Sequence, residues 1–261
     1  MKLELFQIDS FTDKTFQGNP ACVVPLDRWL SDEILLNIAK ENAVAETAFF
    51  IISDNKIKLR WFTPEIEMDL CGHATLAVSH CLKSILNYKN QTMMFDTKSG
   101  NLKVCFKDNL YHLDFPTRKP ETSILPLEIE KSLNIQPKYV LKSRDYMLVY
   151  DSQDEIKNIK INTDFFNKIN LGTGGVIVTS KGISTDFVSR FFTSQSSILE
   201  DPVTGSSHCS LIPYWSNILG KDKMVAAQLS KRKGTVYCEN KKDRVIISGK
   251  AKTYSVGHLY I

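Results

Sequence analysis

The chain has 261 residues, 43% of them hydrophobic and 24% charged, with a formal net charge of +4. This is the composition of an ordinary globular protein, long enough for one large domain or two small ones, and it excludes a low-complexity chain. The lysines are scattered. The densest basic run, Lys231-Arg232-Lys233, lies beside a glycine with no aromatic residues interleaved, so it reads as a solvated turn and not as a nucleic-acid patch.

No window approaches the length of a membrane span, and MKLELFQIDSF lacks the continuous apolar core of a secretory leader. The six cysteines, Cys22, Cys71, Cys81, Cys105, Cys209 and Cys238, form no CxxC pair. The expectation is a cytoplasmic protein with reduced thiols, most of them small core residues.

Leu3 to Ile8 alternates apolar and polar like a strand. Gly18-Asn19-Pro20 reads as a turn, with a strand resuming over Ala21 to Pro25. Ser31 to Asn42 is a helix with Ser31 as N-cap and Asp32 and Glu33 at its positive end. Thr47 to Ile52 and Lys56 to Phe62 are strands about a turn at Ser53-Asp54-Asn55. From Gly72 a helix begins whose faces are nearly all apolar or small, the pattern of a buried helix. Three short strands fill Thr92 to Asp114.

Pro116 to Pro120 is the best boundary, dividing the chain into residues 1–117 and 118–261. Beyond it come a helix at Leu125 to Leu133, a strand near Tyr146 to Tyr150 and a helix at Asp164 to Asn170. Strands follow at Val176 to Thr179 and Asp186 to Phe192. Gly205 to Leu219 is a second small-residue, mostly apolar segment, interrupted by Pro213. The tail from Val225 is strands and turns.

One echo stands out. Arg60-Trp61-Phe62-Thr63 leads through an acidic stretch to Gly72 and a small-residue helix. Arg190-Phe191-Phe192-Thr193 leads through Glu200-Asp201 to Gly205 and a similar segment. An ancient duplication explains this better than chance. Each half would be strand, loop and buried helix, and the start of such a helix, with its unpaired N–H groups and partial positive charge, holds carboxylates or enolates.

The stretches FTDKTFQGNPACVVPL, ENAVAETAFF, RWFTPEIEMDLCGHATLA and EDPVTGSSHC resemble the phenazine-biosynthesis isomerase (PhzF-like) family, with weaker agreement through AAQLSKRKG. The resemblance spans essentially the whole chain. It implies an α+β fold of the diaminopimelate-epimerase-like kind: two similar lobes, each a mostly antiparallel sheet wrapped around a central helix, with the active site between lobes. It also implies no metal, no organic cofactor, and commonly a homodimer. The named member isomerises a dihydro-hydroxyanthranilic acid by proton transfer. The family's catalytic glutamate falls on Glu46, its histidine on His73 after Gly72, its aspartate on Asp201, and its small substrate-binding pair on Gly205 and Ser206. Two positions depart from the pattern: Ala45 stands where the family normally has serine, and Ser207 where alanine is more usual.

Taken alone, Glu46 among small and apolar neighbours fits general base and acid work, because a carboxylate removed from water holds its proton more tightly; an idle strand-mouth glutamate is the bland alternative. His73 could shuttle a proton or serve only as a helix-start residue bonded to backbone, and Asp201 before Pro202 could orient His73, hold a substrate amine or make a turn. Gly72 and Gly205 permit close approach of a ligand to the backbone, or simply start helices. Ser206 could bind a carboxylate or cap; Asn19 could help form the cleft or only its turn.

Rival chemistries are weaker. Two-thiol epimerisation of an amino acid would pair Cys71 with a second acid at Thr204, whose hydroxyl is far too weakly acidic, so Cys71 reads as a packing residue. A metal held by Cys71, His73, His208 and Cys209 lacks zinc-like spacing. TGSSHC is not a nucleophile elbow, and Gly172-Thr173-Gly174-Gly175 precedes a strand pattern, unlike a phosphate loop. The reading is a cofactor-independent isomerase moving a proton on a small carboxylic acid of the cyclic, amino-substituted kind. The alternatives are an epimerase or racemase, or a binding protein that kept the fold without turnover.

Overall fold

A computed structural model describes residues 1–53 and 56–261. The chain divides into two compact units, Met1–Phe115 with Ile246–Ile261, and Pro116–Val245. The tail from Ile246, which the sequence reading grouped with the C-terminal lobe, lies in the first unit. The last strand, Ala251–Tyr260, pairs antiparallel with the first from Lys2–Tyr260 to Ser10–Ala251.

In the first unit, β1 (Lys2–Ser10) pairs antiparallel with β2 (Asn19–Pro25). The expected turn at Gly18-Asn19-Pro20 is shorter than the triplet suggested, because Asn19 already pairs with Ser10. Of the triplet only Gly18 lies outside the strand, at φ +71°, where a Cβ would lie 2.2 Å from the Ser10 carbonyl oxygen. Helix α1 (Asp32–Asn42) crosses to β3 (Glu46–Ser53), which runs parallel to β2. Ser31 caps α1 by accepting from the Ile34 amide, and Ala43 ends it in the left-handed region at φ 50°. Leu35 and Ile38 of α1 pack on Val24, Phe49 and Phe62, each large side chain contributing roughly 1.5–3 kcal/mol by burial.

Next come β4 (Lys56–Phe62), antiparallel to β3, and the short β5 (Glu67–Met68). Asp54 and Asn55 of the expected turn lie outside the described residues. Helix α2 (Gly72–His80) is buried from Gly72 through Ser79, as its composition predicted, and packs against β1, β2, β3 and the last strand. Its small side chains let a sheet close around it. Strands β6 (Thr92–Thr97), β7 (Gly100–Lys107) and β8 (Leu110–Pro116) complete the unit, β6 running parallel to β4.

The second unit repeats this plan. Its elements are β9 (Glu121–Thr122), α3 (Leu127–Ser132), β10 (Tyr139–Lys142), β11 (Tyr146–Val149), α4 (Gln153–Asn158), α5 (Thr163–Phe166), β12 (Val176–Lys181), β13 (Phe187–Phe192), β14 (Glu200–Asp201), α6 (His208–Leu219), β15 (Lys223–Gln228) and β16 (Gly234–Asn240). The sequence reading missed α4, although Ser152 and Glu155 form a capping box at its start. The helix expected at Asp164 to Asn170 is the single turn of α5.

The registers show the duplication. β2 and β3 are parallel, with Cys22 beside Thr47; β11 and β12 are parallel, with Tyr146 beside Val176. Thr47 pairs with Phe62, which pairs with Glu67; Val176 pairs with Phe192, which pairs with Glu200. Five residues before those phenylalanines, Ile57 lies beside Phe95 and Phe187 beside Ala226, both in parallel pairs. Side chains follow suit. Arg60 forks onto Glu67 and Arg190 onto Glu200, each through Nε at 2.7 Å and Nη2 at 3.0 Å. Gly72 and Gly205 each lie five residues past the forked glutamate.

Pro213 does not interrupt α6. A proline lacks the N–H that would bond four residues back, and the carbonyl so freed, Cys209 O, accepts the Arg118 amide at 3.0 Å. Trp215 stacks on Phe187, with centroids 5.7 Å apart, and donates to Thr179 Oγ1 at 2.9 Å. All six cysteines are free, five of them buried and Cys105 half-buried. Among the described residues no helix is long and apolar enough to cross a membrane.

Candidate active site

The parallel pairing of β2 and β3 sets two chain starts side by side, Asn19 on one and Glu46 on the other. The first turn of α2 adds Cys71, Gly72 and His73. Ser10 Oγ donates to the His73 carbonyl at 2.7 Å, and Thr75 Oγ1 to the Cys71 carbonyl at 2.6 Å, which fixes that turn. Cys71 occupies the N-cap position and makes no side-chain cap bond, so amides of the first turn lack that intrahelical partner.

His73 is buried between three groups. Its Nε2 lies 3.0 Å from Glu46 Oε2, its Nδ1 is 3.2 Å from Asn19 Nδ2, and Cys71 Sγ is 3.6 Å from the same Nδ1. Nε2 and Oε2 are both sealed from solvent, so with His73 protonated the contact is a buried ion pair. Burial opposes charge on the imidazole. The Glu46 carboxylate favours it, as a Cys71 thiolate would, and the net effect raises the proton affinity of His73 well above the ordinary value. Burial and Glu46 push the Cys71 thiol up by more than His73 pulls it down. The thiol therefore keeps its proton near neutrality, and Glu46 sustains the imidazolium. Asn19, fully buried, can serve either state. Its amide nitrogen donates to a neutral Nδ1, and a half-turn of the amide presents oxygen to a protonated one.

One ligand atom each of Glu46, Cys71 and His73 lie within 4.8 Å of one another, a donor set that includes the N, S and O types zinc takes. The sulfur faces Nδ1 and the carboxylate faces Nε2, however. The two thus lie nearest different nitrogens of the one ring.

The second unit places the other expected residues. Asp201 Oδ2 accepts from Thr204 Oγ1 at 2.5 Å. Thr204, at the position a second thiol would need, has its hydroxyl committed to that carboxylate. Gln228, fully buried and missed by the sequence reading, clamps the turn. Its Oε1 accepts from the Thr204 amide at 2.9 Å, and its Nε2 donates to the Asp201 carbonyl at 2.8 Å. A lone glutamine in a strand carries no signal for such a role. Gly205 to Ser207 form a turn ahead of α6, which begins at His208, three residues later than the second glycine suggested. Ser206 is half-buried and accepts from Arg144 Nη2 at 3.0 Å, and Ser207 is buried and donates to the Thr204 carbonyl at 2.8 Å. His208 Nδ1 lies 2.9 Å from the same carbonyl; burial holds its imidazole neutral, down to about 4.

The family model described as phenazine biosynthesis-like protein matches residues 8–257. A protein of Pseudomonas aeruginosa named as an uncharacterized isomerase is 44% identical over 261 residues, covering 100% of each chain. A crystal structure of a phenazine biosynthesis protein of the PhzF family from Enterococcus faecalis is 41% identical, with a TM-score of 0.95 and 100% of each chain covered. A predicted epimerase of Pseudomonas aeruginosa shares the fold alone, at 16% identity, a TM-score of 0.72 and 99% of each chain.

Proposed function

The chain belongs to the phenazine biosynthesis-like (PhzC/PhzF) family, and on that premise we propose that it is an isomerase that moves a proton on a small carboxylic acid without a cofactor. The observation that carries this is the Glu46–His73 pair at the mouth of α2. Glu46 removes a proton from a carbon conjugated with the substrate's acid group and returns it at another carbon, so atoms and charge balance with no co-reactant. His73 stands 3.0 Å from the working carboxylate and balances its charge as the proton comes and goes. Charge delocalised onto the substrate is met by amides of the helix start at Gly72. Asp201 assists, and Gly205 with Ser206 binds the acid. Asn19 belongs to the site through His73. A homodimer is part of the same reading, and sedimentation would test it.

An epimerase using two thiols is disfavoured, because Thr204 replaces the second thiol and its hydroxyl is bound to Asp201. A binding protein without turnover is disfavoured, because it has no need of Glu46, His73 and Asp201 together.

The test is proton exchange. Protein and its Glu46→Gln variant are incubated with dihydro-hydroxyanthranilic acid in D2O and followed by NMR. Wild type isomerises the acid or incorporates deuterium, and the variant loses roughly 10²–10⁴ of the rate while remaining folded by circular dichroism. Equal rates in the two proteins would remove Glu46 from the mechanism. No reaction with either would remove this substrate and direct the search to other small acids.

A further inference from the structure

The repeat predicts what the second unit should carry where the first carries its acid–base pair. Aligning the two registers, Thr47 on Val176, Cys22 on Tyr146 and Gly72 on Gly205, sets Glu46 on Gly175, Asn19 on Ser143 and His73 on Ser206. In the first unit the strand start reaches the helix mouth through Asn19 and His73. In the second, Asn19's counterpart Ser143 meets Ser210 of α6 at 2.8 Å, and the next residue, Arg144, reaches Ser206 ahead of that helix.

Arg144 is tightly held. Its Nε and Nη2 donate to the two oxygens of Asp145 at 3.0 and 2.8 Å, and Nη2 also donates to Ser206 Oγ at 3.0 Å. Asp145 has a side chain 0% exposed and also accepts from the Gly175 amide at 3.0 Å, the position that Glu46 holds in the first unit. Gly175 has to be glycine, since a Cβ would lie 2.5 Å from the Phe191 ring and 2.6 Å from the Phe192 carbonyl. Because Ser206 Oγ accepts from a guanidinium, its own proton points elsewhere and is available to an anion.

A second guanidinium belongs to the same corner. The Arg118 amide is fixed on Cys209 O in the first turn of α6. Its Nη1 is sealed from solvent and meets no hydrogen-bond acceptor among the described residues. Both arginines act on the Cys209 sulfur, against the single nearby carboxylate of Asp145.

We infer that Arg144, oriented by Asp145, sets Ser206 as a committed donor, and that the two form with Arg118 a carboxylate-recognising subsite that selects acids over their neutral analogues. Arg144 is a positioning residue here, acting through Ser206. The inference rests on the isomerase reading for its substrate class, but its test does not depend on turnover.

The probes are anthranilate and its uncharged isostere anthranilamide, titrated calorimetrically into wild type and the Glu46→Gln, Ser206→Ala and Arg144→Lys variants. Lysine keeps a positive charge beside buried Asp145. Ser206→Ala leaves the ion pair intact, so it decides the matter if the lysine variant fails to fold. Wild type should bind anthranilamide about tenfold or more weakly than anthranilate, and Glu46→Gln should keep that preference. Ser206→Ala and Arg144→Lys should lose about tenfold in anthranilate affinity with anthranilamide unmoved, erasing the preference. A loss of both probes to the same extent would indicate a purely structural role and overturn the inference. So would unchanged anthranilate binding in Ser206→Ala, or failure of wild type to bind anthranilate. Loss of exchange in Glu46→Gln with the acid preference intact would separate the two readings, because each then answers to its own assay.

Discussion

At the residue scale the site is governed by which groups share a proton. Cys71 touches His73 but is buried and protonated, so it belongs to the packing around the ring and not to the reaction. Cys71→Ser should keep kcat within about tenfold of wild type, and iodoacetamide should inactivate the native protein slowly at pH 7; rapid loss of activity with one thiol modified would revive the thiol mechanism. The histidines set opposite pH dependences. His208, fully buried, holds its proton only below about 4 in the fold, against 6.5 unfolded. Its contribution is therefore complete above 6.5 and is lost as pH falls toward 4, about 3 kcal/mol in all. His73 is raised, so its contribution is complete below 6.5 and is lost as pH climbs through its folded value. Urea midpoints should accordingly fall on both sides of neutrality. His208→Asn, which keeps a donor for the Thr204 carbonyl, should flatten the acid limb alone.

Elements show what the duplication conserved and what it changed. Both arginine forks tie a long strand to a two-residue strand and aim the following glycine at a helix start. They are not equal. Arg60 Nη2 also reaches the exposed Asp32, whereas Arg190 Nη1 donates to the carbonyls of Ile156 and Ile159 at 3.0 and 2.9 Å, closing the end of α4. Arg190→Met should therefore cost roughly 3–5 kcal/mol, and Arg60→Met roughly 1–2, by urea unfolding. Equal costs would mean that the α4 carbonyls find other donors. The helices were legible where an amphipathic or small-residue pattern met a cap, as in α1 and α2. The sequence reading missed α4 because a six-residue helix has too few turns to show a period, although its capping box was in view. Pro213 suggests an interruption of α6, because a proline inside a helix costs a bond; only the folded chain supplies Arg118 to take up the freed carbonyl.

For the molecule as a whole, the first unit is closed by residues from the far end of the chain. Ile247 is fully buried, and the last strand covers β1 along its length. A chain ending at Val245 would leave the β1 backbone unpaired on that side. Its first-unit amides should lose hydrogen-exchange protection and the protein should aggregate; native-like protection of Phe6 and Ile8 would show the strand to be dispensable. The boundary near Pro116 was visible from its prolines, but the return of the tail was not. A strand pattern says that an edge will be paired and never says with which partner.

By itself, the sequence determined the family, the two similar lobes, the buried helices and the identity of Glu46 and His73 as candidates, because those depend on local pattern and on motifs whose spacing is preserved. Only the tertiary structure decided which groups meet. It set Asn19 and Cys71 on one nitrogen of His73 and Glu46 on the other, gave Thr204 to Asp201, and stood Arg144 against Ser206. Those pairings join residues far apart in the chain through strand register and helix placement. A shift of one residue in register turns a side chain to the opposite face, so their chemistry exists only once the sheets have closed.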